Sequence, residues 1–465
     1  MIEVLVALGI FVTSMVAAFQ LFFGGQSLLS DSANIGIATD YSKEALDALR
    51  SIRNRNWSEL TEGAHGLVFN GSEWLISSST LDAKDIFTRQ ITIGKGDSDN
   101  EKIATTTITW QADGRDQILT FVEKFTHWEL PSQSSCKTEG LSGNWSLPVN
   151  VGSGDLGAGN EGTDVVVKWP YAYVSGVASA DKHDIFVFDV SNPILPNKVA
   201  SLNIGAGGIN ALFLRGNYLY AASPNTTKEL IIFNISDPVN ISEVGSYDLT
   251  GGTDAISVYV FGDTAVVGRE DSASNEIAFL NIANPASPSI IREDQSSGGD
   301  VNDFAATGEY LYAISEESDE DIWIYNISNT ANPVRIGNYD IEGETEDLSV
   351  FMHFKGGTSN LLVGNEENEL VEIGATTTDQ MYVRDRLNVG GSVNDIVCVL
   401  GDLAFLATTN SGKEFFVASV ANPDNIVEYS YINYPQYATG IDFANNYVFM
   451  SVRSNDALRI ITSSP

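Results

Sequence analysis

Positive charge is what this sequence has least of. Against 61 Asp+Glu it sets 25 Lys+Arg, a formal net charge of -36 over 465 residues. That balance excludes a basic surface for nucleic acid or for anionic lipid headgroups. The deficit is uneven: residues 1–135 carry a net -7 and the remainder -29. The C-terminal part is therefore a strongly acidic surface, suited to solubility, to divalent cations or to basic partners. The four His, at positions 65, 127, 183 and 353, are widely spaced and form no visible metal-ligand cluster. Two cysteines exclude a disulfide framework. Cys398, in the apolar run Ile396 to Leu400, reads as a small core residue, and Cys136 falls in a polar stretch; a bridge between them is the weaker alternative. No nucleophile elbow, P-loop, paired metal ligands or Gly-rich dinucleotide turn stands in a supporting context, so neither an enzyme nor a resident cofactor is expected. Low-complexity tracts are missing too, and 43% hydrophobic with 10% aromatic residues is the composition of a folded chain.

What is there begins at the N-terminus. Residues 4–23 hold no charged side chain. At about 1.5 Å per residue they span roughly the 30 Å hydrocarbon core of a bilayer. A basic n-region and a small-residue cleavage site, the marks of a secretory signal, are absent. The helical pattern then turns polar through DYSKEALDALRSIRNRNW, where Ala45, Leu46, Leu49 and Ile52 make one apolar stripe. A single long helix is expected over 1–57, apolar over 1–23, with Gly24-Gly25 as a candidate kink. Glu3 stands at the head of the apolar part, where an unpaired carboxylate costs about 2.5–3.5 kcal/mol on insertion scales. A partner amine would offset that cost.

The opening Ile2-Glu3-Val4-Leu5-Val6-Ala7-Leu8-Gly9, with the long helix behind it, resembles the N-terminal helix of type IV pilins and type II secretion pseudopilins. The resemblance implies residence in the membrane before assembly and packing against other pilin-like subunits through the helix. It implies for Glu3 the role of neutralising the N-terminal amine of a neighbouring subunit and so fixing register. In the family this glutamate is the fifth mature residue. Here two residues precede it and the basic leader is missing, so the sequence is expected to start inside the family's motif.

Over residues 58–130 the period changes to two. GLVFNG, SEWLIS, IFTRQITIG, KIATTTITWQA and DQILTFVEKFTHW alternate apolar and polar residues, separated by turn signals at Asn70-Gly71, Gly94 to Asn100 and Asp113-Gly114. A small antiparallel sheet packed on the amphipathic half of the helix is expected, as in a pilin head. Residues 131–144, rich in Ser and Gly, read as a linker.

Residues 145–465 repeat. The phrases IFVFDVSNP, LIIFNISDP, IAFLNIANP, IWIYNISNTANP and FFVASVANP place prolines at 193, 238, 285, 333 and 423. Between them recur YAYVSG, YLYAAS, TAVVGR, YLYAIS, LLVGNE, LAFLAT and YVFMSV. A unit of about 46 residues with four short strands is a propeller blade, and seven copies predict seven blades. The last copy lacks a fourth strand, which Ser146 to Gly152 would supply, closing the ring. The phrases resemble the LVIVD-repeat family of surface propellers. The fold class expected is thus multidomain: α+β for the helix and head, all-β for the propeller.

A polar residue precedes each innermost strand: Asp164, Asn210, Asp254, Asn302, Glu346, Asn394 and Thr439. Equivalent positions in seven blades form a ring near one mouth of the channel. That ring has two readings, local backbone capping or a ligand or Ca2+ site with oxygen donors. The acidic loops Gly96 to Glu101 and Glu316 to Asp321 lack the EF-hand offsets and read as solvated loops. Sequons stand at Asn56, Asn70, Asn144, Asn225, Asn234, Asn240 and Asn326 as candidate glycosylation sites. The function expected is an extracellular or envelope filament subunit, major or tip, whose acidic propeller binds a surface protein or glycan. The alternatives are an envelope-anchored receptor that never polymerises and, less favoured, an extracellular enzyme.

Overall fold

The computed structural model describes residues 33–464 apart from the short stretches 54–56, 72, 97–100, 113, 127–135, 138–140, 178–181, 206, 272–274, 295–298, 317–319, 342–346, 356–357 and 375–380. Glu3, the apolar run 4–23, Gly24-Gly25, Asn56 and Glu346 lie outside the described residues, as do the middles of both acidic loops and most of the linker. The chain forms two compact units divided between Trp128 and Glu129.

In the first unit, residues 33–53 form helix α1. Its strands are β1 (Gly63–His65), β2 (Leu67–Phe69), β3 (Trp74–Ile76), β4 (Asp82–Lys84), β5 (Phe87–Lys95), β6 (Glu101–Ala112) and β7 (Arg115–Thr126). A five-stranded antiparallel sheet runs β1-β5-β6-β7 with β4 on β5, and β2 pairs with β3 separately. The period-two pattern of the sequence is the reason: one face of the sheet is apolar and must be covered. The helix covers it. Ala45, Ala48, Leu49 and Ile52 pack on Ile91, Ile93, Ala104 and Phe125, and Ala38 and Tyr41 on Phe87, Ile108 and Trp110. The stripe read from spacing is therefore the buried one. Arg89 is buried in the same layer. Its guanidinium lies 4.0 Å from the Tyr41 ring centroid and pairs with Asp82 at 3.0 Å and Glu44 at 3.2 Å, so the buried charge is compensated. Gly71 and Gly114, at φ 103° and 71°, make the turns that Asn70-Gly71 and Asp113-Gly114 announce.

Among the described residues the second unit holds seven four-stranded antiparallel sheets. Their first strands are Glu161–Lys168, Ala211–Arg215, Ala255–Phe261, Val301–Thr307, Asp347–Lys355, Val393–Val399 and Ala438–Ala444. Each lies beside the first strand of the next sheet, and the seventh beside the first, so the blades close a ring around a central channel. The seventh sheet is completed by β8 (Asn144–Gly154), which pairs with Leu458–Ser464. The closing strand is thus the one the sequence repeat lacked.

The cores lie between blades. Tyr173, Ile185 and Val187 of the first blade meet Leu219, Ile231 and Phe233 of the second. Every second strand is apolar on both faces because both are covered by neighbours. The repeated phrase now has a physical account. Its Asp or Asn (Asp189, Asn234, Asn281, Asn326) accepts the backbone N–H two residues on, turning the chain. The next apolar residue (Val190, Ile235, Ile282, Ile327) is buried and donates its N–H to the turn entering the second strand.

One expectation is corrected. Cys136 and Cys398 form a disulfide, with Cα atoms 4.6 Å apart. The polar stretch is anchored rather than free at this point: Lys137 N donates to Cys398 O at 2.8 Å and Leu400 N to Lys137 O at 2.9 Å. The cause is ring closure. Because β8 belongs to the seventh blade, the segment just before it is held beside the sixth and seventh. Trp145 packs there on Phe405 and Phe443 at centroid distances of 4.8 and 6.4 Å.

Candidate functional site

The first strands of the blades surround a cavity of about 450 Å³. Its wall carries two polar layers. The outer layer bonds six of the blades to the carbonyl that opens the next blade's first strand. Thr163 Oγ1 donates to Ile209 O (2.6 Å), Asn210 Nδ2 to Ala255 O (2.8 Å) and Asn394 Nδ2 to Ala438 O (2.6 Å). Thr439 Oγ1 donates to Gly162 O at 3.2 Å, across the closing junction. Ser257 and Ser349, one position further in, do the same for Val301 and Val393.

The inner layer is acidic. Asp164, Asp303 and Asp395 occupy one structural position, and each carboxyl takes two backbone N–H groups. Oδ1 accepts from the next residue, Val165, Phe304 or Ile396, at 2.6 to 2.7 Å. Oδ2 accepts from the following blade, Leu212, Val350 or Ile441, at 2.7 to 2.9 Å. Asp442 does likewise for Phe443 and Val167, two residues further along its strand. The Lys137 ammonium reaches Asp442 Oδ1 at 2.8 Å. All seven blade junctions therefore carry at least one side chain bonded to the neighbouring backbone.

Burial in this narrow channel dominates the electrostatics. Desolvation pushes the Asp164 and Asp303 carboxyls up to about 7, against the pull of their two N–H donors. Asp395 is pushed well above the usual range, first by desolvation and then by the charges of Asp164 and Asp303.

The ring expected from sequence is resolved into these layers. Asn210, Asn394 and Thr439 lie in the outer one and Asp164 in the inner one. Asn302 holds Glu316 Oε1 at 2.8 Å. Asp254 accepts the N–H of Glu270 on its own carbonyl, and desolvation raises its carboxyl. Asp303, Asp395 and Asp442 were missed. The signal for the first two was present in the doublets Asn302-Asp303 and Asn394-Asp395, which match Thr163-Asp164 once the apolar strands are aligned; Asp442 stands outside that pattern.

A second carboxylate series was also missed. Asp184, Glu229, Asp321 and Glu414 precede the third strand of their blades and are buried. Each accepts the N–H of a residue that follows the fourth strand. Among the described residues no group of three or more His, Cys, Asp or Glu converges as metal ligands. Of the sequons, Asn70, Asn144, Asn225, Asn234 and Asn326 each use their side-chain oxygen in a local turn, and Asn240 donates to Asp237. Removing one outer-layer bond should be mild: Asn210→Ala is expected to cost about 1 kcal/mol, read as a small drop in the propeller's melting temperature.

Three segments, 160–203, 206–249 and 298–341, match the LVIVD repeat, and the chain carries these repeats in the first, second and fourth blades. No curated protein matches the chain. Among solved structures, virginiamycin B lyase from Staphylococcus aureus is similar at 10% identity, covering 68% of this chain and 99% of that one, with a TM-score of 0.50. Raptor from Chaetomium thermophilum is similar at 12% identity over 69% of this chain and 29% of that one, with a TM-score of 0.51. At these identities the likeness is one of fold, and the fold is a propeller of repeated four-stranded sheets.

Proposed function

We propose that this chain is a pilin-like subunit of an extracellular filament, displaying its acidic propeller as a binding module for a surface protein or glycan. The observation that carries the reading is α1, laid by its apolar stripe across one face of an antiparallel sheet, directly after a sequence that opens like a pilin. The bridge between Cys136 and Cys398 adds support, since disulfides persist in oxidising compartments. The propeller, with its acidic surface and blades bonded to one another at every junction, suits a rigid displayed head that holds its shape outside the cell.

Glu3→Ala tests the reading. The variant is expected to remain in the membrane fraction but to fall at least tenfold in sheared filaments, because subunit register is lost. Undiminished incorporation would remove the filament role and favour an anchored receptor that never polymerises.

A further inference from the structure

The sheet of the first unit ends in a strand whose second edge no other strand pairs among the described residues. β7 is twelve residues long and pairs with β6 in one unbroken register, from Ala112↔Arg115 to Glu101↔Thr126. It contains no proline and no bulge. Natural sheets blunt such an edge with these devices or with charged side chains. β7 has only the last, Asp116 and Lys124 on its exposed face, and a partner of opposite charge in register neutralises both. Its side chains divide cleanly. Glu123 and Phe125 face the helix: Glu123 takes two bonds from Arg50, and Phe125 is buried against Leu49 and Ile52. The other face carries Asp116, Ile118, Thr120, Val122 and Lys124, all exposed. Ile118 and Val122 are 68% and 65% exposed, a heavy apolar load for a free edge.

We propose that a second copy of this chain pairs with β7 along its free edge, antiparallel, about a two-fold axis through Thr120. The strand's own sequence selects this arrangement. A two-fold axis perpendicular to the sheet keeps each face on its own side, so only residues of like parity meet. The central registers are then those through Leu119, Thr120 or Phe121. Through Thr120, Asp116 faces the partner copy's lysine at 124 and Ile118 faces its valine at 122, each twice by symmetry. On the helix face Leu119 meets Phe121. Through Phe121, Ile118 would face a lysine and Leu119 a glutamate; through Leu119, Asp116 would face a valine. On the exposed face only the Thr120 register joins unlike charges and joins apolar to apolar. The Leu119 register would set Arg115 opposite Glu123 on the helix face, where Arg50 already holds that carboxylate. Lys124 also holds Glu101 at 2.7 Å; an ammonium has three donors, so it serves both carboxylates. Adding a strand to an exposed edge is a known mode of association, with main-chain bonds giving affinity and side chains register.

The full chain in detergent tests this. With both native cysteines bonded, Thr120→Cys places one free thiol at the axis. Mild oxidation should give a disulfide-linked dimer as the main product. Asp116→Cys sets its two thiols far apart and should give none. This cross-link reads pairing at β7 whatever contacts the chain makes elsewhere. Asp116→Lys should lower the cross-linking yield of Thr120→Cys at least fivefold, Lys124→Asp likewise, and the two reversals together should restore it. A Thr120→Cys chain that stays monomeric on oxidation, or equal cross-linking from Asp116→Cys, overturns the proposal. So does charge reversal without effect on yield.

Discussion

Cys136→Ser is expected to lower the stability of the propeller by about 5 kcal/mol, the entropy of closing a loop of this length in the unfolded chain. The bridge spans a sequence separation of 262 residues, close to the whole ring, so it restrains the denatured chain more than a local bridge would. For a unit of this size the loss corresponds to a melting temperature lower by roughly 7 °C. The folded state should otherwise persist. Both sulfurs sit in the core between the fifth and sixth blades, with Leu362, Ile396 and Leu406. The segment also keeps its main-chain bonds to Cys398 and Leu400 and its Lys137–Asp442 pair. Reduction of the native protein should reproduce the shift, and calorimetry of the oxidised, reduced and variant chains checks it. Equal melting of all three would show that the ring is held by its blades and β8 alone.

That bridge marks the limit of what the residues disclosed before the fold was seen. Periodicity carried most of the architecture. The helix stripe at Ala45, Leu46, Leu49 and Ile52, the long strands of the first unit and the seven blades each buries one pattern repeated in register, and burial is what periodicity reports. The closing strand was legible because the last copy lacked one. The partner of Cys136 was not, because a contact across such a separation depends on where ring closure brings the chain. The acidic ring was legible in part. A bulge at the start of most first strands, as between Val301 and Asp303 or Val393 and Asp395, inserts one residue. The same bulge stands in the first blade, so Thr163, Asn302 and Asn394 share one position and Asp164, Asp303 and Asp395 the next. Each doublet offers two polar residues before the innermost strand, and the first of each, Asn302 and Asn394, was grouped with Asp164. The buried acids before each third strand were hidden differently: in a chain this acidic, a carboxylate beside an apolar run reads as surface.

The inner ring gives the second large effect, a propeller more stable at pH 5 than at pH 8. Carboxyls of the unfolded chain titrate near 3.8, whereas Asp164 and Asp303 hold their protons up to about 7. Between those values the native state binds protons that the unfolded state releases, so their contribution is fully present below about pH 4 and is lost as pH rises through 7. For one such carboxyl the change from pH 5 to pH 8 is about 2–3 kcal/mol. Relief of repulsion among surface acids acts in the same direction, so the variant is what isolates the ring. Asp303→Asn keeps one acceptor for the N–H groups of Phe304 and Val350 and turns an amide on the other. It should destabilise at pH 5 by about 1–3 kcal/mol, the cost of one unmade buried bond. At pH 8 the same substitution also removes a desolvated charge that lies near the charge of Asp164. The deficit should therefore shrink markedly or vanish there. Thermal melts of both chains at the two pH values read the difference directly. A deficit that is the same at pH 5 and pH 8 would mean that Asp303 is ionised throughout, with its two N–H donors outweighing burial, and the acidic ring would then act as a permanent set of anionic staples between blades.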